Sequence, residues 1–505
     1  MTKEEAQFGI LLFNPRAAKH KARIPNSILS IAAAIAGKYP YIIVDGNRED
    51  DPLSIIMQHL QTGKFNVFAC TVMPGPQLKQ AIPITKQIKS LFPDIYIVWG
   101  GYFASNQSGV VMQSGWVDSI VYGPGDRAFP MLIDALEQDG PLDMIPNLIW
   151  KNGGEVHKNH KDELYDQDTL PALPYQALHD FYDMRGYLGK TILGNKTIAY
   201  HSSIGCPFTC AFCGIVPIYN ARWKGRSAEL IYKDIQFLKN TYGGDAIEFH
   251  DNNFFVSEKR TADFSTLMLN ENMQWWGEGR IDTIHKYSDD TLQLMRDAGC
   301  KMIFFGAETG NDAVLQLMDK GGTQTADQIR AFAARLKKFD IIPEYSFVLG
   351  TPGKDEAETL QRIEEDIAFI REIKSINPQT EIIIYVYSPV PTEGSELFSA
   401  VQAGGFHFPQ QLEDWISPAW ESFDLRKNPL TPWLKPYMID KIRSFEVVLN
   451  GAYPTVSDIK LKSFDKKLMR SLASWRYKTE FYKFPIEVKL MQKLLRYRQP
   501  EIEGF

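Results

Sequence analysis

Two long runs of this 505-residue chain alternate short apolar segments with amphipathic ones, and that alternation restricts the fold more than any other feature. In the first run "FGILLFN", "YIIVDGN", "FNVFACTVM", "IYIVWGG" and "SIVYGPGD" read as strands. The stretches between them, such as "SILSIAAAIAG" (stopped by Gly37) and "QLKQAIPITKQIKSLFP", read as helices. Continuous apolar strands separated by helices specify a parallel, doubly wound, Rossmann-like sheet over residues 8–138. In such sheets ligands lie beyond the carboxyl ends of the strands. Those ends carry "MPGPQ" with Met73, Pro74 and Gly75, then Gly100 and Gly101, then "GPGD" with Gly123, Pro124 and Gly125. Glycines there let the backbone approach a large flat ligand.

Periodicity weakens over 139–195, where "IPNLIWKNGGEV" reads as a small hairpin and "LPALPYQAL" as a Pro-punctuated linker. A second alternation fills 196–400, with strands "TIAYHSS", "AIEFHDNN", "QWWGEGR", "MIFFGAE", "PEYSFVLG" and "EIIIYVYSP". Six strand–helix repeats predict a partial (β/α)6 barrel of the TIM type, open on one side, with its chemistry at the carboxyl ends of the strands. The chain is therefore expected to be α/β, closed by a mostly helical region over 401–505. Residues 424–505 hold seventeen Lys/Arg against nine Asp/Glu. A solvated helical cap accounts for this excess; contact with an anionic substrate or a membrane surface is the alternative.

Composition narrows the setting. The net charge of −6 is mild for this length and argues against wholesale nucleic-acid binding. No apolar stretch reaches the roughly 18 residues needed to span a bilayer, and "MTKEEAQFGILLFNPR" lacks the apolar run of a signal peptide. Five cysteines, three of them bunched, do not make a disulfide framework. The expectation is a cytoplasmic protein.

The bunched cysteines are Cys206, Cys210 and Cys213 in "SIGCPFTCAFCGI", directly after the first barrel strand. A structural zinc site wants four ligands, usually as two separated pairs. Cys70 lies in the other domain and Cys300 precedes a different strand; both read as small buried hydrophobes. His201 and His250 remain as zinc partners, although a packed strand-end residue is the plainer reading of His250. Trp275 and Trp276 read first as core. A four-iron cubane takes one thiolate per iron, so three thiolates leave one iron open to another ligand.

The C-x-x-x-C-x-x-C spacing, on the loop after the first strand of a partial barrel, resembles the radical S-adenosylmethionine (SAM) superfamily. The resemblance implies a 4Fe-4S cluster on Cys206, Cys210 and Cys213, with SAM chelating the open iron through its amino and carboxylate groups. One-electron reduction, by an external donor of flavodoxin or ferredoxin type, would yield a 5′-deoxyadenosyl radical that abstracts hydrogen. It also implies a SAM-binding set: Phe212 on the adenine side, Asp251 and Asn253 from "IEFHDNNF" near the amino group, and Arg280 on the carboxylate. Glu308 in "GAETG", Gly350 in "FVLGTPGKDE" and Pro389 in "YSPVPTEGSEL" complete it. Asn252 stands where an acid is usual.

The first domain resembles the cobalamin-binding domain of cobalamin-dependent radical SAM enzymes, on "VFACTVMPGP", "IVWGGYFAS" and "DSIVYGPGD". Pro124 and Asp126 depart from the usual G-E-G-E. The D-x-H-x-x-G motif that supplies a lower axial histidine is absent, since "VDGNRED" has no histidine. The resemblance then implies cobalamin held with its dimethylbenzimidazole tail detached and its lower face against Met73 to Gln77. The layout is similar to the branch of the anaerobic magnesium-protoporphyrin IX monomethyl ester cyclase and related methyltransferases. The expected reaction is methyl transfer from methylcobalamin to an unactivated C–H carbon of a small molecule. The alternatives are a cyclase or oxidoreductase outcome without methyl transfer, a cobalamin-free enzyme whose first domain serves docking, and a cluster-carrying protein without catalysis.

Overall fold

The computed structural model describes residues 8–17, 22–318, 323–388, 396–421 and 430–497. Its first sheet contains β1 (Gly9–Asn14), β2 (Tyr41–Asp45), β3 (Phe65–Thr71), β4 (Tyr96–Gly100), β5 (Ser119–Val121), β6 (Leu148–Asn152) and β7 (Glu155–Lys158), in the order β2-β1-β3-β4-β5-β6-β7. β1 to β5 run parallel, and β6 and β7 are antiparallel. The unbroken apolar run of β1 has a simple cause. Ile10 and Leu12 enter one hydrophobic core and Leu11 and Phe13 another, so both faces of the sheet are covered.

The hairpin that the sequence places in the connecting segment belongs to this sheet. β6 pairs with β5, and Gly153 and Gly154, both at positive φ, turn the chain into β7.

The second sheet begins with β8 (Thr197–Tyr200). A two-stranded ribbon follows, β9 (Ser203–Gly205) with β10 (Trp223–Gly225). Then come β11 (Ala246–Phe249), β12 (Gln274–Gly279), β13 (Cys300–Glu308), β14 (Ile342–Leu349) and β15 (Glu381–Val386). β8 and β11 to β15 pair in parallel and in sequential order, with β8 and β15 as the outer strands. This is the six-stranded partial barrel expected. Its crossover helices are bounded by local signals. Ser227 caps Ala228–Tyr242, Gly243 ends it at positive φ, and Ile231, Ile235, Leu238 and Tyr242 bury one stripe.

The tryptophan pair of β12 splits between faces. Trp275 is fully buried among Phe249, Phe254, Phe255 and Phe264, as a core residue should be. Trp276 turns to the other face, where its Nε1 donates to Glu344 at 2.9 Å. Cys70 and Cys300 are buried in the strands, and burial pushes both thiols well up.

The C-terminal region does two things. Leu412 and Trp415 return to the first domain, where Trp415 meets the Phe103 ring edge-on at 4.9 Å. Helices Pro436–Ala452, Ser463–Lys478 and Ile486–Leu494 pack beside the barrel. They are fastened at the first residue of β15, where Glu381 accepts from Thr455, the Val456 N–H and Ser457. Among the described residues no helix is long and apolar enough to cross a membrane.

Candidate functional site

The cysteine loop, residues 206–222, is closed at its base by the β9–β10 ribbon, with Gly205 paired to Trp223 and Ser203 to Gly225. Gly205 sits at φ +75°, and a Cβ on it would lie 2.1 Å from the Arg222 carbonyl oxygen, so only glycine fits. Asp251, just past β11, fixes the approach to the loop. Its Oδ1 accepts from the Ser202 N–H and Oγ, both at 3.0 Å, and from the Ser203 hydroxyl. The buried Arg260 guanidinium donates to the carbonyls of Ser202, Phe254 and Arg226. The loop start is thus held from two strands and a helix.

Within the loop Cys210 is buried, while Cys206 and Cys213 are partly exposed. Arg280, one residue after β12, donates to Cys210 Sγ at 3.1 Å and lies 3.8 Å from the centre of the Phe208 ring. Its fork also grips Asp282, at 2.9 and 2.6 Å, as a buried pair. A guanidinium held there complements the negative charge of thiolates. Asn253 Nδ2 is 3.9 Å from Cys206 Sγ, and burial raises the Cys206 thiol pKa. Among the described residues no three His, Cys, Asp or Glu side chains are gathered as the ligand set of one metal ion.

The expected SAM-binding residues fall at the same mouth. Asp251 Oδ2 and Asn253 Oδ1 are buried without a hydrogen-bond partner. Two orphaned acceptors beside the cysteines are the complement of an ammonium group, so the residues present fit SAM as the family holds it. Glu308 is buried at φ +66°, where the β13–β14 register shifts, so strain and a bulge together aim its side chain. Phe212 packs on the cluster of Val314, Met318 and Tyr387. Gly350, at φ +89°, is roofed by the C-terminal region: its carbonyl accepts from Trp433 Nε1 at 3.0 Å, and Leu434 lies against it. Pro389 lies outside the described residues.

In the first sheet the order β2-β1-β3 puts the switch-point crevice between the ends of β1 and β3. Gln77 braces it, accepting from the Met73 N–H at 2.7 Å and donating to the Pro15 carbonyl at 2.9 Å. Gly75 is at φ +83° with open space where its Cβ would stand, beside Met73 and Pro74. A Cβ on Gly101, which follows Gly100, would press on Thr71 Oγ1 at 2.8 Å. Gly123, Pro124 and Gly125 face protein instead: a Cβ on Gly123 would be 3.6 Å from the Ile218 carbonyl, Pro124 accepts from Asn147, and Gly125 abuts Ile31. Of these glycines Gly75 alone opens to free space, and that opening beside the crevice is what a flat macrocycle such as cobalamin would need there.

The two candidate sites meet. Asn106 Nδ2 donates to the Gly214 carbonyl at 3.1 Å, directly after Cys213. Lys161 Nζ donates to the Ile218 carbonyl at 2.9 Å and Arg222 Nη2 to the Asp162 carbonyl at 2.8 Å. The carboxyl edge of the first sheet thus faces the cysteine loop.

The sequence reading missed the acidic side of the barrel. Arg23 reaches Glu248 at 2.9 Å, and His250 stands 3.4 Å from the same carboxylate. Burial pushes Glu278 up to about 8, aided by the Asp251 charge, and Glu344 up to about 8, aided by Glu381. His201 is exposed at the end of β8, its ring 6.2 Å from that of His250. The signal was present: Trp276 and Glu278 share one strand face by the period of two, as do Glu248 and His250 across the end of β11.

Comparison with known proteins adds the family. Residues 200–366 match the model of the radical SAM superfamily. The chain is 26% identical over 356 residues to an uncharacterized methyltransferase of Pyrococcus horikoshii, covering 69% of this chain and 73% of that one. It is 26% identical over 254 residues to the anaerobic magnesium-protoporphyrin IX monomethyl ester cyclase of Synechocystis, a match spanning 48% of each. The solved structure of OxsB, a cobalamin-dependent SAM radical enzyme with aqua-cobalamin and SAM bound, superposes with a TM-score of 0.69 at 16% identity, covering 97% of this chain and 75% of that one. This chain therefore carries a radical SAM domain, and it is an enzyme with the fold of the cobalamin-dependent radical SAM enzymes.

Proposed function

We propose that the chain methylates an unactivated carbon of a small molecule by radical chemistry. The observation that carries this reading is the apposition of the cysteine loop and the carboxyl edge of the first sheet through the Asn106–Gly214 hydrogen bond. A 4Fe-4S cluster and cobalamin would supply one-electron cleavage of SAM and a carried methyl group. The chain's own part is holding, orienting and excluding water. Cys206, Cys210 and Cys213 would hold the cluster. Asp251 Oδ2 and Asn253 Oδ1 would take the SAM ammonium, and Arg280, locked by Asp282, would keep its charge beside Cys210. Met73, Pro74, Gly75, Gly100 and Gly101 would seat the corrin. The substrate would enter between the two edges, with electrons from an external reductant.

A cyclase-type outcome without methyl transfer is the second reading, favoured by the likeness to the Synechocystis cyclase. The experiment is anaerobic reconstitution with cobalamin, reductant and SAM. Methyl transfer predicts a corrin band that co-elutes with the chain and formation of both 5′-deoxyadenosine and S-adenosylhomocysteine. 5′-Deoxyadenosine alone, with corrin retained, favours the cyclase outcome; absence of the corrin band favours a docking first domain.

A further inference from the structure

The C-terminal helices expose apolar side chains that no packing requires. Phe464, Phe484 and Leu494 are 73%, 79% and 77% exposed. On helix Ile486–Leu494, residues 486, 490 and 494 fall on one face at a spacing of four, and all three are exposed. Trp475 and Phe481, also exposed, stack at 6.1 Å. These side chains are held rather than loose. The buried Arg476 guanidinium donates to the carbonyls of Phe481, Lys483 and Phe484 and grips Glu487, so one residue fixes the knuckle between the last two helices.

Charge surrounds this platform. Lys478, Lys483, Lys489 and Lys493 are exposed beside the apolar stripe. The acids between 460 and 496 are committed internally: Asp465 caps its own helix, Glu480 pairs with Arg371, and Glu487 with Arg476. Alongside runs a cleft of about 750 Å³ lined by Arg371, Lys374, Arg470 and Lys478, with Tyr453 as an aromatic wall and one acid, Glu381, whose carboxylate is taken up by Thr455, Val456 and Ser457. Asn450, 3% exposed, presents an unpartnered Nδ2 donor to it. The exposed Arg470 and Lys478 at the rim of the cleft, with the unmet Asn450 donor, call for an anion. Exposed aromatic and aliphatic groups among lysines call for the boundary of a negatively charged bilayer.

We propose that these helices are a docking surface for an anionic phospholipid bilayer, with the apolar knuckle entering the headgroup boundary and a lipid phosphate accepted in the basic cleft. The surface lies away from the barrel mouth. Thr455 to Ser457 bind Glu381, the first residue of β15, whereas the cysteine loop follows the carboxyl end of β8. Docking therefore leaves the mouth free, and it does not rest on the chemistry proposed above.

The test is co-sedimentation of the reconstituted full chain with vesicles of phosphatidylglycerol and phosphatidylcholine, against vesicles of phosphatidylcholine alone. Binding is expected only to the anionic vesicles and is expected to weaken with salt in the unmodified chain. Leu490→Asp with Leu494→Asp, and separately Arg470→Glu with Lys478→Glu, are each expected to weaken it about tenfold or more. Both variants should keep the parent Tm and rate of SAM cleavage. Failure to bind anionic vesicles, or equal binding by parent and both variants, overturns the proposal. So does a concentration-dependent dimer that the variants abolish without vesicle binding, which would assign the face to a second copy of the chain.

Discussion

Arg280 and Asp282 show how single residues set up this mouth. The pair is buried, and one end of it touches Cys210. Arg280→Met would leave Asp282 charged and unpartnered by its guanidinium, and is expected to cost about 3 kcal/mol in urea unfolding. Pairing it with Asp282→Asn should recover part of that loss. Glu344 gives a pH signature. Its pKa is about 8 when folded, against the ordinary value near 4.5, so the folded state binds the extra proton between those limits. The contribution of Glu344 to stability should therefore be full below about pH 4.5, be lost as pH rises to about 8 and then level off, a total change on the order of 5 kcal/mol. Glu344→Gln should reduce the loss of stability between about pH 5.5 and 8.5, read from denaturant midpoints, with Glu278 keeping its own share. At this scale the cysteine trio was legible because its spacing is rare. The orphaned oxygens of Asp251 and Asn253 were not, because only a folded neighbourhood shows which acceptors lack donors.

Among the elements, the β9–β10 ribbon decides whether the cysteine loop has a fixed base. Three-residue strands fall below the length at which alternation can be read, so "SIG" and "WKG" carried no strand signal. Only the pairing across seventeen intervening residues reveals them. Gly205→Ala should break this base. A positive φ and a 2.1 Å clash with backbone together predict a loss of roughly 2 kcal/mol or more, and iron per chain should fall in parallel after anaerobic reconstitution. The β6–β7 hairpin makes the complementary point. Its turn was plain from "NGG", but its allegiance to the first sheet depended on an open edge at β5 that no local pattern encodes.

At the scale of the molecule, the two strand–helix runs gave away the two sheets, since buried parallel strands must be apolar throughout. Their apposition was not legible, because it rests on polar ties between distant loops, such as Asn106 to Gly214. Nor was the return of Leu412 and Trp415 to the first domain, whose contacts lie some three hundred residues back in the chain. Trp415→Ala is expected to destabilise the first domain by about 3 kcal/mol, with hydrogen exchange quickening in β3 and β4 before the barrel strands.

The central claim is that three thiolates hold a cluster with one open iron beside a seated corrin. The most direct measurement is electron paramagnetic resonance of the reduced, anaerobically reconstituted chain, with and without SAM, on fractions that retain the corrin band. The account predicts a cluster signal that shifts when SAM is added and that is lost in Cys206→Ala, Cys210→Ala and Cys213→Ala alike. Zinc in place of iron, or an iron signal indifferent to SAM, would contradict it.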